Sequence, residues 1–171
     1  MPSSYQPATR GSTAKTHSQS ISSNTAGDDG TVANLLATKG RNIIAISPED
    51  TISAAVGLLK EKRIGALVVT DKTGELKGIL SERDIVRKLA ETPGQTLPQT
   101  VAENMTAKVV TCQPSDSLVL VLQRMMEGRF RHMPVLERGK LCGMVTIGDV
   151  VQFRLSEVEH EALQLKQMIV G

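Results

Sequence analysis

Aromatic residues make up only 2% of this 171-residue chain, and tryptophan is absent. Any core must therefore be aliphatic, built from Ile, Leu, Val, Met and Ala. There are two cysteines, Cys112 and Cys142, with no Cys-x-x-Cys pair and no histidine near either in the sequence. That excludes a disulfide framework and zinc-ligand spacing and leaves inert buried thiols as the expectation, with redox sensing as the alternative. No apolar run reaches the roughly 18 residues a membrane span needs, and the first 30 residues lack the apolar segment of a secretory signal. The three histidines, His17, His132 and His160, are scattered, and no His-Glu-x-x-His, Gly-x-Ser-x-Gly, Gly-x-Gly-x-x-Gly or P-loop pattern occurs. Without these constellations an enzyme is not expected. Acidic residues are missing from residues 1–27, which carry Arg10 and Lys15; the other 18 basic residues balance all 18 acidic ones. A formally neutral body argues against nucleic-acid binding, which needs clustered positive charge. Residues 1–30 are rich in Ser and Thr and read as a disordered tail. They bear a weak likeness to an organelle transit peptide, so the expected compartment is the cytoplasm, with an organelle as the alternative.

The chain does contain the same passage twice. Pro48, Asp50, Ile52 and Leu59 match Pro114, Asp116, Leu118 and Met125 at an offset of 66 residues. After a one-residue gap in a turn the offset is 65, so that Gly78, Ser81 and Asp84 match Gly143, Thr146 and Asp149. Each copy is too short to bury a stable core easily alone, so the two are expected to pack together and to form paired clefts.

Each half reads as β-α-β-β-α, an α/β (α+β) arrangement, with a short helix around Val32, Leu35 and Leu36 ahead of the first half. Asn42–Ile46 is an expected strand, and Ser47-Pro48-Glu49-Asp50 looks like a helix start, with a capping hydroxyl, a proline and two acids in order. Ala66–Thr70 and Leu76–Leu80 form a hairpin, and Ser81 opens the next helix. The second half repeats this with a lead-in helix at Val101–Met105, a strand at Val109–Cys112, a helix at Asp116–Glu127 and a hairpin of Met133–Leu136 with Leu141–Val145. The last helix is longer. Val151, Leu155, Val158, Ala162, Leu165 and Ile169 follow a 4-3-4-3-4 spacing, a heptad seam about three heptads long. Either it lies on its own core or it pairs with a second chain, and self-association is the favoured expectation.

The recurrent polar signature is Gly-x-x-Ser/Thr-x-x-Asp, at Gly78–Asp84 and Gly143–Asp149. A helix N-terminus offers free N–H groups and partial positive charge to a phosphate, and an Asp one turn in could accept ribose hydroxyls. Glycine would let the backbone approach a ligand. The competing reading is a plain capping box; duplication favours the ligand. A second cluster, Arg129, Arg131 and His132, stands where the first half has Arg63, Gly65 and Ala66 and so little charge beyond Arg63. It is either a solvated basic turn or a phosphate grip, and it leads to the expectation that Asp149 outweighs Asp84 in binding. Arg83 and Arg87 are further phosphate candidates.

With these residues in view, the sequence resembles a tandem pair of CBS domains, a Bateman module, of the small stand-alone type. The likeness rests on Ile-Gly-Ala-Leu-Val-Val (64–69), Gly-Ile-Leu-Ser-Glu-Arg-Asp (78–84), Asn-Met-Thr (104–106), Arg-His-Met-Pro-Val (131–135) and Gly-Met-Val-Thr-Ile-Gly-Asp (143–149). It implies repeats at 31–92 and 101–156 around a linker at 93–100, packed by a pseudo-twofold, with a helical extension at 157–171. It also implies clefts for an adenosine nucleotide, AMP ahead of NAD(H), ADP or ATP. By the resemblance Asp84 and Asp149 would hold ribose and Ser81 and Thr146 a phosphate or ribose oxygen. Ile44–Ile46 and Val110–Cys112 would offer backbone to adenine. A non-catalytic sensor acting on an unknown protein target as a homodimer is the implied function; a structural adaptor with vestigial clefts and a redox effector are the alternatives.

Overall fold

The computed structural model describes residues 30–171, so the expectation of a disordered tail lies outside the described residues. The first half comprises α1 (Val32–Lys39), β1 (Ala45–Ile46), α2 (Ile52–Lys62), β2 (Ala66–Thr70), β3 (Leu76–Ser81) and α3 (Glu82–Glu91). The second comprises α4 (Val101–Asn104), α5 (Leu118–Gly128), β4 (His132–Glu137), β5 (Lys140–Thr146) and α6 (Ile147–Val170). β1 runs parallel to β2, which pairs antiparallel with β3; β4 and β5 form a second antiparallel hairpin. The mixed α/β class, the two repeats and the long final helix are as the sequence indicates.

The expected strand at Val109–Cys112 is reduced to a single parallel bridge between Cys112 and Val135. The cause lies in one residue. In the first half the Val68 N–H donates to the Ile44 carbonyl at 3.3 Å. The residue matching Val68 is Pro134, which has no N–H to give. The first-half strand is itself shorter than expected, two residues instead of five.

Nor does Ser47-Pro48-Glu49-Asp50 start a helix. Thr51 is the cap of α2, its hydroxyl accepting from the Ala54 N–H at 3.2 Å. The backbone of the preceding turn serves a different purpose: Pro48 and Asp50 carbonyls accept from Ala102 and Val101 of α4 at 2.9 and 2.8 Å. The same exchange recurs in the other direction, with Pro114 and Asp116 carbonyls accepting from Ala33 and Val32 at 2.8 and 3.0 Å.

The lead-in helices are thereby traded between halves. Val32, Leu35 and Leu36 of α1 sit in the core of the second half with Cys112, Leu118, Val121, Met125, Met133 and Val145. Val101 of α4 sits in the core of the first half with Ile52, Leu59, Leu67, Val69 and Leu80. This explains the glycines of the repeated signature. A Cβ on Gly78 would lie 2.9 Å from the Thr106 carbonyl oxygen, and one on Gly143 would lie 2.9 Å from Leu36 Cδ2. Both positions are small so that a lead-in segment can approach β3 or β5, and not to admit a ligand.

α6 leaves the body after about two turns. Only Val150 of this helix is buried. Leu155, Val158, Leu165 and Ile169 are all more than half exposed, so the helix does not lie on its own subunit's core. Among the described residues no helix is long and apolar enough to cross a membrane.

Candidate functional site

The two Ser/Thr-x-x-Asp turns close their helices as capping boxes. At α3 the Asp84 N–H donates to Ser81 Oγ at 3.3 Å, while Asp84 Oδ2 accepts from Ser81 N–H at 3.0 Å and Ser81 Oγ at 2.7 Å. At α6 the Asp149 N–H donates to Thr146 Oγ1 and the Thr146 N–H to Asp149 Oδ2, both at 3.1 Å. The hairpin behind each turn is held in the same way. Glu82 N–H donates to the Gly65 carbonyl at 2.9 Å, and Ile147 N–H to the Arg131 carbonyl at 3.0 Å. The capping function is thus real in both copies, and the surroundings of each Asp decide what else it does.

Around Asp84 those surroundings are a cleft of about 620 Å³, within the ordinary range for a small-molecule site. Of the residues singled out in the sequence, Gly65, Ser81, Arg83, Asp84, Arg87, Val110, Arg129, Arg131 and His132 line it. The basic cluster therefore faces the opposite half's turn, which overturns the expectation that it favours Asp149. The turn after α5 crosses to the first half: Arg83 donates from Nη1 to the Arg129 carbonyl at 3.0 Å. The His132 ring also lies against Gly65, its Cε1 3.3 Å from where a Cβ would be. Arg129 adopts φ 55°, a left-handed cap of α5 that turns the chain sharply towards this cleft. Arg87 lines the cleft one helical turn beyond Arg83. Among the described residues no carboxylate forms an ion pair with Arg87, Arg129 or Arg131, and Asp84 Oδ1 has no partner.

Apolar surface completes the cleft through Ile79, Val109, Val110 and Phe130. Sequence reasoning assigned no role to Phe130, although it is one of two phenylalanines in the chain. Its ring folds over Gly128, where a Cβ would overlap it. Thr106 also faces the cleft, placed by its paired backbone bonds to Ile79 at 2.9 and 3.0 Å.

Asp149 stands elsewhere. It borders a groove of about 660 Å³ between α1 and α6, and its Oδ2 forms a salt bridge with Lys39. Burial alone would raise the Asp149 pKa, but the Lys39 ammonium and the Thr146 donors outweigh it and hold it below the ordinary carboxylate value. No sequence signal marked Lys39, because the contact spans 110 residues.

Thr146 is half-buried as the cap of α6 and lines neither of these two cavities. The remaining candidates also fall outside them. Ile46 and Ala66 are buried at 7% and 6% exposure, Ile44 packs against the first-half core, and Cys112 is 2% exposed in the second. Of the Val110–Cys112 segment, Val110 reaches the cleft, together with Val109, and Cys112 does not. Burial pushes the Cys112 thiol up to about 12, and burial also raises the Cys142 thiol. That is the reverse of what a reactive thiolate requires. For His132, burial lowers the pKa, and the carboxylates of Asp149 and Glu82 only partly oppose this.

Comparison with known proteins agrees with this architecture. The sequence profile of the CBS domain matches residues 34–91 and again 100–156. The mitochondrial CBS domain-containing protein CBSX3 of Arabidopsis thaliana is 33% identical over 150 residues, covering 82% of this chain and 72% of that one. Among solved structures, the CBS-domain containing protein ATU1752 from Agrobacterium tumefaciens is 42% identical with a TM-score of 0.72, covering 73% of this chain and 99% of that one. The structure of CBSX2 in complex with AMP has a TM-score of 0.61 at 25% identity, covering 74% of this chain and 97% of that one. The chain belongs to the CBS domain family and carries two such domains in tandem.

Proposed function

We propose that this protein is a non-catalytic regulatory sensor that binds an adenosine nucleotide, AMP ahead of NAD(H), ADP or ATP, in the cleft around Asp84. The observation that carries the reading is the meeting of one cap carboxylate with three guanidinium groups, Arg87, Arg129 and Arg131, that form no ion pair among the described residues, in a single cavity of about 620 Å³. In this reading Asp84 Oδ1 accepts the ribose hydroxyls. Arg129 and Arg131 hold the phosphate as forked donors. Phe130, Val109 and Val110 offer the base an apolar wall. AMP binding by the related CBSX2 supports the choice of ligand class.

The bound nucleotide spans groups from both halves, so it biases how they pack, and a partner protein reads the difference. A ligand shifts such an equilibrium only by its difference in affinity for the two states. Self-association through the exposed apolar seam of α6 is part of the same proposal. The compartment we assign is the cytoplasm, with an organelle as the alternative raised by the mitochondrial relative.

Titration calorimetry of the full chain with AMP, ADP, ATP and NADH tests the reading. Binding that weakens as salt is raised is expected, because the guanidinium groups are exposed and screened. No heat with any of the four at millimolar concentration removes it. The adaptor alternative draws on α6 alone and is supported if a chain ending at Arg154 loses its protein partner yet titrates unchanged.

A further inference from the structure

The two Ser/Thr-x-x-Asp turns match in sequence, but one of them is occupied by the protein's own cation. α1 runs for eight residues and α4 for four. After α4 the chain turns down onto β3, and the Thr106 N–H donates to the Ile79 carbonyl at 2.9 Å. After the corresponding turn of α1 the helix continues to Lys39. The Lys39 Nζ donates to the Met144 carbonyl at 2.7 Å, and Met144 is the residue that matches Ile79. The same Nζ pairs with Oδ2 of Asp149, which matches Asp84. An extra turn of helix thus replaces a backbone contact with a side-chain ammonium.

The consequence for a ligand is chemical. At Asp84, among the described residues, only Ser81 bonds the carboxylate, and Oδ1 is open to a diol. At Asp149 a diol must displace a charge-assisted pair whose ammonium is also held by a carbonyl. The guanidinium groups that could offset that loss line the other cleft. We propose that Lys39 is a selectivity residue that closes the Asp149 turn to nucleotide, so that each chain takes one nucleotide, at Asp84. This rests on the nucleotide reading above and adds to it a stoichiometry and the residue that sets it.

Calorimetric titration with AMP on the full chain tests this, with a melting curve recorded for each variant. One site per chain is expected for the parent and two for Lys39→Met, which keeps length and apolar bulk but removes the charge. Asp84→Ala is expected to abolish binding in the parent and to leave one site in the Lys39→Met background. Two sites in the parent, or one site in both, overturn the inference while the nucleotide reading stands; a parent site that survives Asp84→Ala overturns the inference and moves the nucleotide out of the Asp84 cleft. Absence of binding in parent and Lys39→Met alike overturns the nucleotide reading and this inference with it.

Discussion

Gly65 and His132 meet across the two halves, with the imidazole Cε1 3.3 Å from the position a Cβ on Gly65 would take. The contact buries the ring against a first-half turn, and burial lowers its pKa from 6.5 in spite of Asp149 and Glu82. A depressed histidine pKa means that the unfolded chain binds the proton first as pH falls. Stability from this group is therefore complete above about pH 6.5 and is lost below it, down to the folded value. The melting temperature is expected to fall between pH 7 and pH 5. His132→Gln should flatten that part of the profile. An unchanged slope in the variant would remove His132 as the cause. Asp149, whose pKa is lowered from 3.8, adds a separate loss only below that value.

Gly78→Ala and Gly143→Ala should differ in cost although they occupy matched positions. The added methyl at Gly78 meets the Met105 side chain and a backbone carbonyl, that of Thr106, which accepts from the Ile79 N–H at 3.0 Å. At Gly143 it meets the end of the Leu36 side chain, which can rotate by a few tenths of an ångström. We expect about 2 kcal/mol for the first and about 1 kcal/mol or less for the second, by the usual scale of overpacking. Urea denaturation measures both, and the reverse order would contradict the packing account.

Leu36→Ala tests the exchange of lead-in helices. Leu36 is 1% exposed in the second-half core although it lies near the start of the first repeat. The expected loss is about 2–5 kcal/mol. Hydrogen exchange should show the amides of β4 and β5 losing protection before those of β2 and β3. Equal loss in both hairpins would argue against separate cores.

Asp84→Ala is expected to abolish AMP binding, and Asp149→Ala to change it by less than threefold. The capping role adds a stability cost of about 1 kcal/mol to either substitution, so affinity should be measured well below the melting temperature. Arg131→Ala should weaken binding and reduce its salt dependence, since an exposed guanidinium acts through a screened charge. A larger effect at Asp149 than at Asp84 would reverse the assignment of clefts.

The α6 seam predicts a concentration-dependent dimer. Leu155, Val158, Leu165 and Ile169 are 57% to 83% exposed, a continuous apolar face that a second copy of the helix could cover. Light scattering behind size exclusion should give a dimer for the full chain and a lighter species when it ends at Arg154. A dimer that survives truncation would move the interface elsewhere.

Much of the fold was legible because local rules carry it. The offset repeat, the hydrophobic period of each element and the cap residues Ser81 and Thr146 all act over a few residues, and they mark both hairpins and all four larger helices. The errors came where a long-range partner overrode a local signal. Ser47-Pro48-Glu49-Asp50 has the composition of a helix start, yet its carbonyls are taken by α4. Val109–Cys112 has the composition of a strand, yet its partner Pro134 cannot donate.

The candidate site divides in the same way. The chain alone determined that two helix mouths would carry a hydroxyl and a carboxylate, because the capping box is a contact of residues three apart. Its composition also set an aliphatic core with a formally neutral body. Only the tertiary structure decided that Arg129, Arg131 and His132 would line the same cleft as Asp84 and that Lys39 would take Asp149. Those pairings depend on how two similar halves exchange their lead-in helices and face each other, and contacts made across 46 and 110 residues leave no periodic trace in the sequence.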